Sequence, residues 1–206
     1  MIMPTLSHTG MSQTLHLEAL NPRIEIRQPP PVPQLDADSP ARALLTDFTQ
    51  SAAHTISDSS LIAQALDIMK QGGVRLLFVL DREERFIGAI TARDLIGGRR
   101  ITLAMQRHQV TREEVTVKMV QTPRDELHAL PLKQLEHATI GALVNALRAF
   151  GDQHLLITET NEHGQQCLRG LVSASDIGRA LNVDLQHPPE ARSFASICKV
   201  ILGHDL

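Results

Sequence analysis

At 206 residues the chain is long enough for one or two hydrophobic cores. Its 42% apolar and 21% charged content is ordinary for a soluble globular protein, and a net charge of −3 argues against a polyanion-binding surface. With no Trp, no Tyr and five Phe, it lacks the aromatic platforms on which single-stranded nucleic acid stacks.

Residues 1–40 read as an extended or partly disordered arm. Leu15, Leu17 and Ala19 alternate, as do Ile24 and Ile26, which suits a short strand or an extended packed segment. Pro29, Pro30, Pro31 and Pro33 favour polyproline II, either as a stiff spacer or as a ligand for a proline-binding domain. The first folded unit spans 41–109. An apolar patch at 43–45 is followed by Thr55-Ile56 as a short strand, with Ser57 or Asp58 available to cap a helix running to about Gln71. Gly72-Gly73 stop that helix. Residues 74–80 form a strand, 81–84 a charged turn and 85–90 the returning strand of a hairpin. A helix opens at Thr91, is interrupted at Gly97-Gly98 and resumes to about Gln109.

The second unit spans 110–185. Val117, Met119 and Val120 echo the patch at 43–45, and 125–133 reads as irregular, with Pro131. Thr139 caps a helix ending near Gly151. A strand over 154–158, a turn at 161–164 and a strand over 168–172 lead to a helix at Ser173. The tail, 186–206, ends in an apolar stretch at 194–202 that suits a short helix.

The two units are copies. Ile62, Ala65, Leu66 and Met69 recur as Ile140, Leu143, Val144 and Leu147, 78 positions later and at the same helical spacing. Gly88-Ala89-Ile90-Thr91-Ala92-Arg93-Asp94 recurs as Gly170-Leu171-Val172-Ser173-Ala174-Ser175-Asp176, offset by 82. The second copy therefore carries four extra residues between Glu159 and Gly170, expected in the turn.

The repeated motif admits two readings. At a helix start the free amides and the dipole attract anions, and Thr91 or Ser173 adds a hydroxyl there. Asp94 or Asp176, three residues on, offers acceptor oxygens suited to the paired hydroxyls of a ribose. The preceding glycine lets another backbone approach closely. Alternatively, Thr-x-x-Asp and Ser-x-x-Asp are capping boxes that start a helix and nothing more.

On these residues, with Leu66 to Met69, Val79-Leu80-Asp81 and Phe86 to Leu95, the chain resembles a tandem pair of cystathionine-β-synthase (CBS) domains, a Bateman module. The resemblance implies an α/β (α+β) fold of two β-α-β-β-α repeats related by a pseudo-two-fold axis, pairing into disc-like homodimers. It implies adenosine ligands (AMP, ADP, ATP or S-adenosylmethionine) in clefts between the repeats, with no required cofactor. Asp94 and Asp176 would hold ribose hydroxyls, and Thr91 and Ser173 would face phosphate. Thr55, Ile56, Leu76 and Leu77 would line the first base pocket. His154, Leu155 and Ser175 complete the implied set for the second copy. Arg93, beside Asp94, is a candidate phosphate partner, so the first motif is expected to favour the more highly charged phosphate chain.

Little else carries chemistry. There is no Gly-rich phosphate loop and no Gly-x-Ser-x-Gly elbow. Glu162, His163 and Cys167 lie close in sequence but on a turn tip without a fourth ligand; His128 and His137 flank a Pro-containing loop. Cys198 has no neighbouring base, and Arg99-Arg100 is a lone basic pair. Two cysteines make a disulfide framework unexpected and a cytoplasmic setting the simplest. No run approaches the ~20 apolar residues of a membrane span, and no basic-then-apolar leader opens the sequence. Together with the resemblance, this leads to the expectation of a regulatory module, not an enzyme, that binds an adenosine ligand and acts on a subunit or unknown protein effector. The alternative is a dimeric interaction or scaffold protein with unoccupied clefts.

Overall fold

The computed structural model describes residues 17–30, 34–96, 98–150 and 153–182. The expected tail helix at 194–202, Cys198, Leu15, Gly97, Gly151 and Pro31 to Pro33 lie outside the described residues. The chain divides into two units, 1–33 and 34–206. In the first, residues 17–30 form no strand. A turn closes on Asn21, whose carbonyl accepts the Ile24 amide, and Leu17, Leu20, Ile24 and Ile26 are exposed.

The second unit begins with a 3-10 turn, Ala41–Leu44, and the strands β1 (Thr46–Asp47) and β2 (Thr55–Ser57). Helix α1 (Ile62–Gly72), strands β3 (Leu76–Leu80) and β4 (Phe86–Thr91), and helices α2 (Ala92–Ile96) and α3 (Arg99–His108) follow. The series then repeats: α4 (Val117–Val120), β5 (Thr122–Pro123), β6 (Ala129–Pro131), α5 (Leu132–Leu135), α6 (Ile140–Phe150), β7 (His154–Thr160), β8 (Gln166–Ser173) and α7 (Ala174–Ala180).

The amphipathic stripes fall where their spacing puts them. Ile62, Ala65 and Met69 are buried against Leu77, Val79 and Ile90. Ile140, Leu143, Val144 and Leu147 are buried against Leu155, Ile157 and Val172. Burying each Ile, Leu, Val or Met of these stripes stabilises the fold by roughly 1.5–3 kcal/mol. Gly73 ends α1 in the left-handed conformation at φ 63°, which costs a glycine no Cβ clash. Thr139 caps α6, its Oγ1 accepting the Ala142 amide at 3.2 Å.

The cap of α1 departs from expectation. Its N-cap is Leu61, whose amide donates to Gln64 Oε1 at 2.9 Å. Ser57 closes β2, and buried Asp58 pairs with Lys118 at 3.3 Å, so both candidates are engaged elsewhere. Residues 125–133 are not wholly irregular either. β6 runs parallel to β7, as β2 does to β3. Three residues, Ala-Leu-Pro, are too short to show a period, and a Pro is tolerated at the end of an edge strand.

The four extra residues sit in the strands rather than the turn. Asp81 and Arg85 close one turn, and Asn161 and Gln165 close the other, with the same amide-to-carbonyl bond. Glu159 pairs with Cys167 and Thr160 with Gln166, two rungs without counterpart in the first hairpin. Two residues per strand preserve the period-two alternation, so the faces of the sheet are unchanged.

The sheets interlock. Their orders are β2-β3-β4-β5 and β1-β8-β7-β6. β1, which precedes the first hairpin, completes the second sheet, and β5, which precedes the second hairpin, completes the first. The motif glycines make this possible. A Cβ on Gly88 would lie 2.4 Å from the Thr122 carbonyl oxygen, and one on Gly170 would lie 2.2 Å from that of Thr46. Between the sheets Leu76, Phe78, Ala89 and Leu156 form a third apolar cluster. No helix of the described residues is long and apolar enough to cross a membrane.

Candidate functional site

Each motif closes on itself. Thr91 Oγ1 donates to Asp94 Oδ2 at 2.6 Å, and the Thr91 amide reaches the same oxygen at 2.9 Å. Ser173 Oγ donates to Asp176 Oδ2 at 2.6 Å and accepts the Asp176 amide at 3.1 Å, while the Ser173 amide lies 3.3 Å from Asp176 Oδ2. These are capping boxes with Asp in the third helical position. Each leaves one carboxylate oxygen facing outward, and there the copies diverge. Asp94 Oδ1 pairs with Arg100 Nε at 3.2 Å, and Arg100 Nη1 also donates to the carbonyls of Val120 and Gln121, both at 3.2 Å. Asp176 Oδ1 pairs with Arg179 of its own helix, whose side chain is 80% exposed.

A cavity of about 890 Å³ opens beside the second motif. One wall is the segment 46–54, with Thr46, Phe48 and His54. Another is Arg75, Leu76 and Phe78, from the start of β3. The third is His154, Ser173, Ser175, Asp176 and Arg179 from the second repeat. It therefore combines an apolar wall from one repeat with a carboxylate and hydroxyls from the other. Arg75 and Arg179 bring two guanidinium groups to it.

Of the residues singled out by sequence, Leu76, His154, Ser173, Ser175 and Asp176 meet in this cavity. Ile56, Leu77 and Leu155 are placed differently. Ile56 and Leu77 are buried in the first repeat's core and Leu155 in the second's. On a strand successive side chains point to opposite faces, so Leu76 and Phe78 face the cleft while Leu77 faces its own helices. Thr55, Thr91, Arg93 and Asp94 also lie outside the cavity lining, with Thr55 and Arg93 exposed. Phe48, His54, Arg75, Phe78 and Arg179 line it without having been singled out. For Phe78 and Arg75 the signal was there: they share the period of Leu76 or directly adjoin it. Among the described residues no group of three or more His, Cys, Asp or Glu could hold a metal. Asn161 Oδ1 instead organises the turn holding Glu162 and His163, accepting the amides of His163 and Gln165.

Behind the cavity wall lies a charge cluster. Arg169 on β8 grips both carboxylate oxygens of Asp47, at 2.8 and 2.7 Å, and reaches Glu159 Oε2 at 2.8 Å. The guanidinium holds the Asp47 carboxyl well below the usual carboxylate range, helped by the Thr49 hydroxyl. Asp47 and Glu159 in turn raise Arg169 above its ordinary value.

Residues 45–99 match the family model of the CBS domain. The fold is similar to that of an uncharacterized conserved protein from Pyrococcus horikoshii, at 18% identity and a TM-score of 0.51 over 74% of this chain and 98% of that one. CBSX2 from Arabidopsis thaliana, in complex with AMP, aligns at 16% identity and a TM-score of 0.47 over 69% and 95% of the two chains. The CBS domain of a bacterial CNNM/CorC family Mg2+ transporter, in complex with ATP, aligns at 17% identity and 0.47 over 71% and 89%. No curated protein matches the chain in sequence.

Proposed function

From the premise that the chain carries a CBS domain followed by a second unit of the same fold, we propose a non-catalytic regulatory module that binds one adenosine nucleotide in the cleft beside the second motif. The observation that supports this most is the meeting of Asp176, Arg75 and Arg179 with the apolar wall of Leu76 and Phe78 in one cavity. Asp176 Oδ1 takes the ribose hydroxyls once the exposed Arg179 swings away. Arg75 and Arg179 neutralise phosphate, and the base lies against Leu76 and Phe78. Two guanidinium groups favour AMP, ADP or ATP over S-adenosylmethionine, whose sulfonium is itself cationic. Asp94 has the other role: with Arg100 it ties α2 to the lead-in of β5. The module works in the cytoplasm as a homodimer. It reports occupancy through subunit packing or a protein effector, which requires that the nucleotide bind two arrangements with different affinity.

Calorimetry and thermal shift with AMP, ADP, ATP and S-adenosylmethionine test this reading. The expected result is one site per chain, abolished in Asp176→Ala and retained in Asp94→Ala. Nucleotide at 100 times its Kd should stabilise the fold by about 2.7 kcal/mol. No shift with any of the four would leave both motifs as helix caps and the chain as a dimeric scaffold with empty clefts.

A further inference from the structure

The wall of the cleft formed by residues 46–52 has the thinnest backbone support. β1 contributes two pairs to its sheet, Thr46 with Leu171 and Asp47 with Gly170. So short an edge strand is not held by its ladder alone. Three further ties hold it. The Phe48 amide donates to the Arg169 carbonyl at 2.8 Å. The Phe48 ring packs edge-on against Phe78, with centroids 5.4 Å apart. Arg169 clamps the Asp47 carboxylate through two nitrogens and anchors itself on Glu159 and Thr49. The pair is largely desolvated, with the Asp47 side chain 9% exposed and that of Arg169 19%.

Asp47, Glu159 and Arg169 do not line the cavity, whereas the neighbours of Asp47, Thr46 and Phe48, do. Strand alternation turns Asp47 to the face of β1 opposite Thr46 and Phe48, and the register shift between Ile157 and Thr158 interrupts the alternation of β8 at Arg169. The first sheet has no such device at the equivalent place. Gly88 pairs with Pro123 as Gly170 pairs with Asp47, so the counterparts of Asp47 and Arg169 are Pro123 and Ile87. The clamp stands on the sheet whose added strand walls the described cavity.

We propose that Arg169 is a positioning residue for the nucleotide cleft: by clamping Asp47 it pre-sets Thr46 and Phe48 at the cavity wall, so an ion pair remote from the ligand sets its affinity. This inference rests on the nucleotide reading above. A wall ordered in advance spares the ligand the cost of ordering it, and by reciprocity an occupied cleft steadies the wall. The wall is continuous with residues 34–45, so steadying it gives occupancy an outlet toward the segment that precedes the repeats.

The test is calorimetry of the full chain with AMP and ATP, below the melting temperature of each variant, combined with hydrogen exchange over 46–52. Arg169→Met should weaken binding about tenfold with unchanged stoichiometry. Arg169→Lys, which keeps the charge but loses the fork, should lie between it and wild type. Asp47→Asn should weaken binding in the same direction, and with Arg169→Lys it carries the test if Arg169→Met does not fold. In wild type, ATP should slow exchange over 46–52; in Arg169→Met this protection should shrink. Folded variants that bind with the wild-type Kd, or a wild-type segment whose exchange ignores ATP, would overturn the proposal while leaving the nucleotide reading intact. Wild type that binds neither nucleotide would overturn both.

Discussion

Around the first motif, Arg100 joins Asp94 to two backbone carbonyls at the lead-in to β5. Around the second, Arg179 reaches Asp176 from the same helix and is otherwise in solvent. At the residue immediately before β2 or β6 a second contrast appears. His54 sits 3.0 Å from where a Cβ on Gly72 would be, whereas its counterpart His128 stacks on Phe150 at 4.5 Å. The first motif is thus tied to the lead-in of β5 by a side chain, and the second lies at a cavity walled in part by the other repeat. A duplicated motif conserves the helix start. On the proposed reading, the side chains around each start, Arg100 at one and Arg179 at the other, decide whether it is also a site.

The largest effect that would break this comparison is at the two glycines. Gly88→Ala and Gly170→Ala each force a Cβ onto a carbonyl oxygen of the added strand. Each should cost about 3 kcal/mol in chemical denaturation. Only Gly170→Ala should also abolish ATP binding in calorimetry, because β1 walls the cleft while β5 does not. A smaller effect sharpens the contrast between the arginines. Arg100→Met should lower stability by about 1 kcal/mol, discounted for its partial exposure, and leave nucleotide affinity alone. Arg179→Met should change stability by less than about 0.5 kcal/mol but weaken ATP more than AMP, read from the two dissociation constants.

The smallest effect is in pH. Arg169 first, then Thr49, depresses the Asp47 pKa in the folded chain, so the unfolded chain binds the proton more readily. The clamp's contribution is fully present above the unfolded carboxylate value of about 3.9 and is lost as pH falls through the folded value. In urea denaturation the stability difference between wild type and Asp47→Asn should be constant from about pH 5 to 7 and shrink below about pH 4. A difference unchanged at pH 3 would mean that the ion pair contributes nothing beyond packing.

Much of the fold was legible because burial imposes a period. The stripes of α1 and α6, the two hairpins and the cap at Thr139 all lie where apolar spacing and a hydroxyl place them. The cap of α1 was not legible, since Gln64 satisfies a Leu amide and leaves no Ser, Thr or Asp signature. β6 was missed because three residues show no alternation, and the extra rungs were assigned to a turn because a pair added to each strand leaves the period untouched. In the site, alternation distinguishes Leu76 from Leu77 once the strand's facing is known, but a strand with both faces buried does not show which face meets the other repeat.

The sequence by itself determined that there are two copies of one unit, each opening a helix with a hydroxyl and an Asp. Each unit is written in local spacing, and the duplication in the recurrence of that spacing 78 and 82 positions later. Only the tertiary structure decided that β1 and β5 exchange sheets, that Arg100 bridges to residues 20 and 21 positions away, and that Arg169 meets Asp47 across 122. These contacts depend on which strand edge each short segment finds. That choice is made by shape and charge across the folded repeats, where sequence distance carries no record of it.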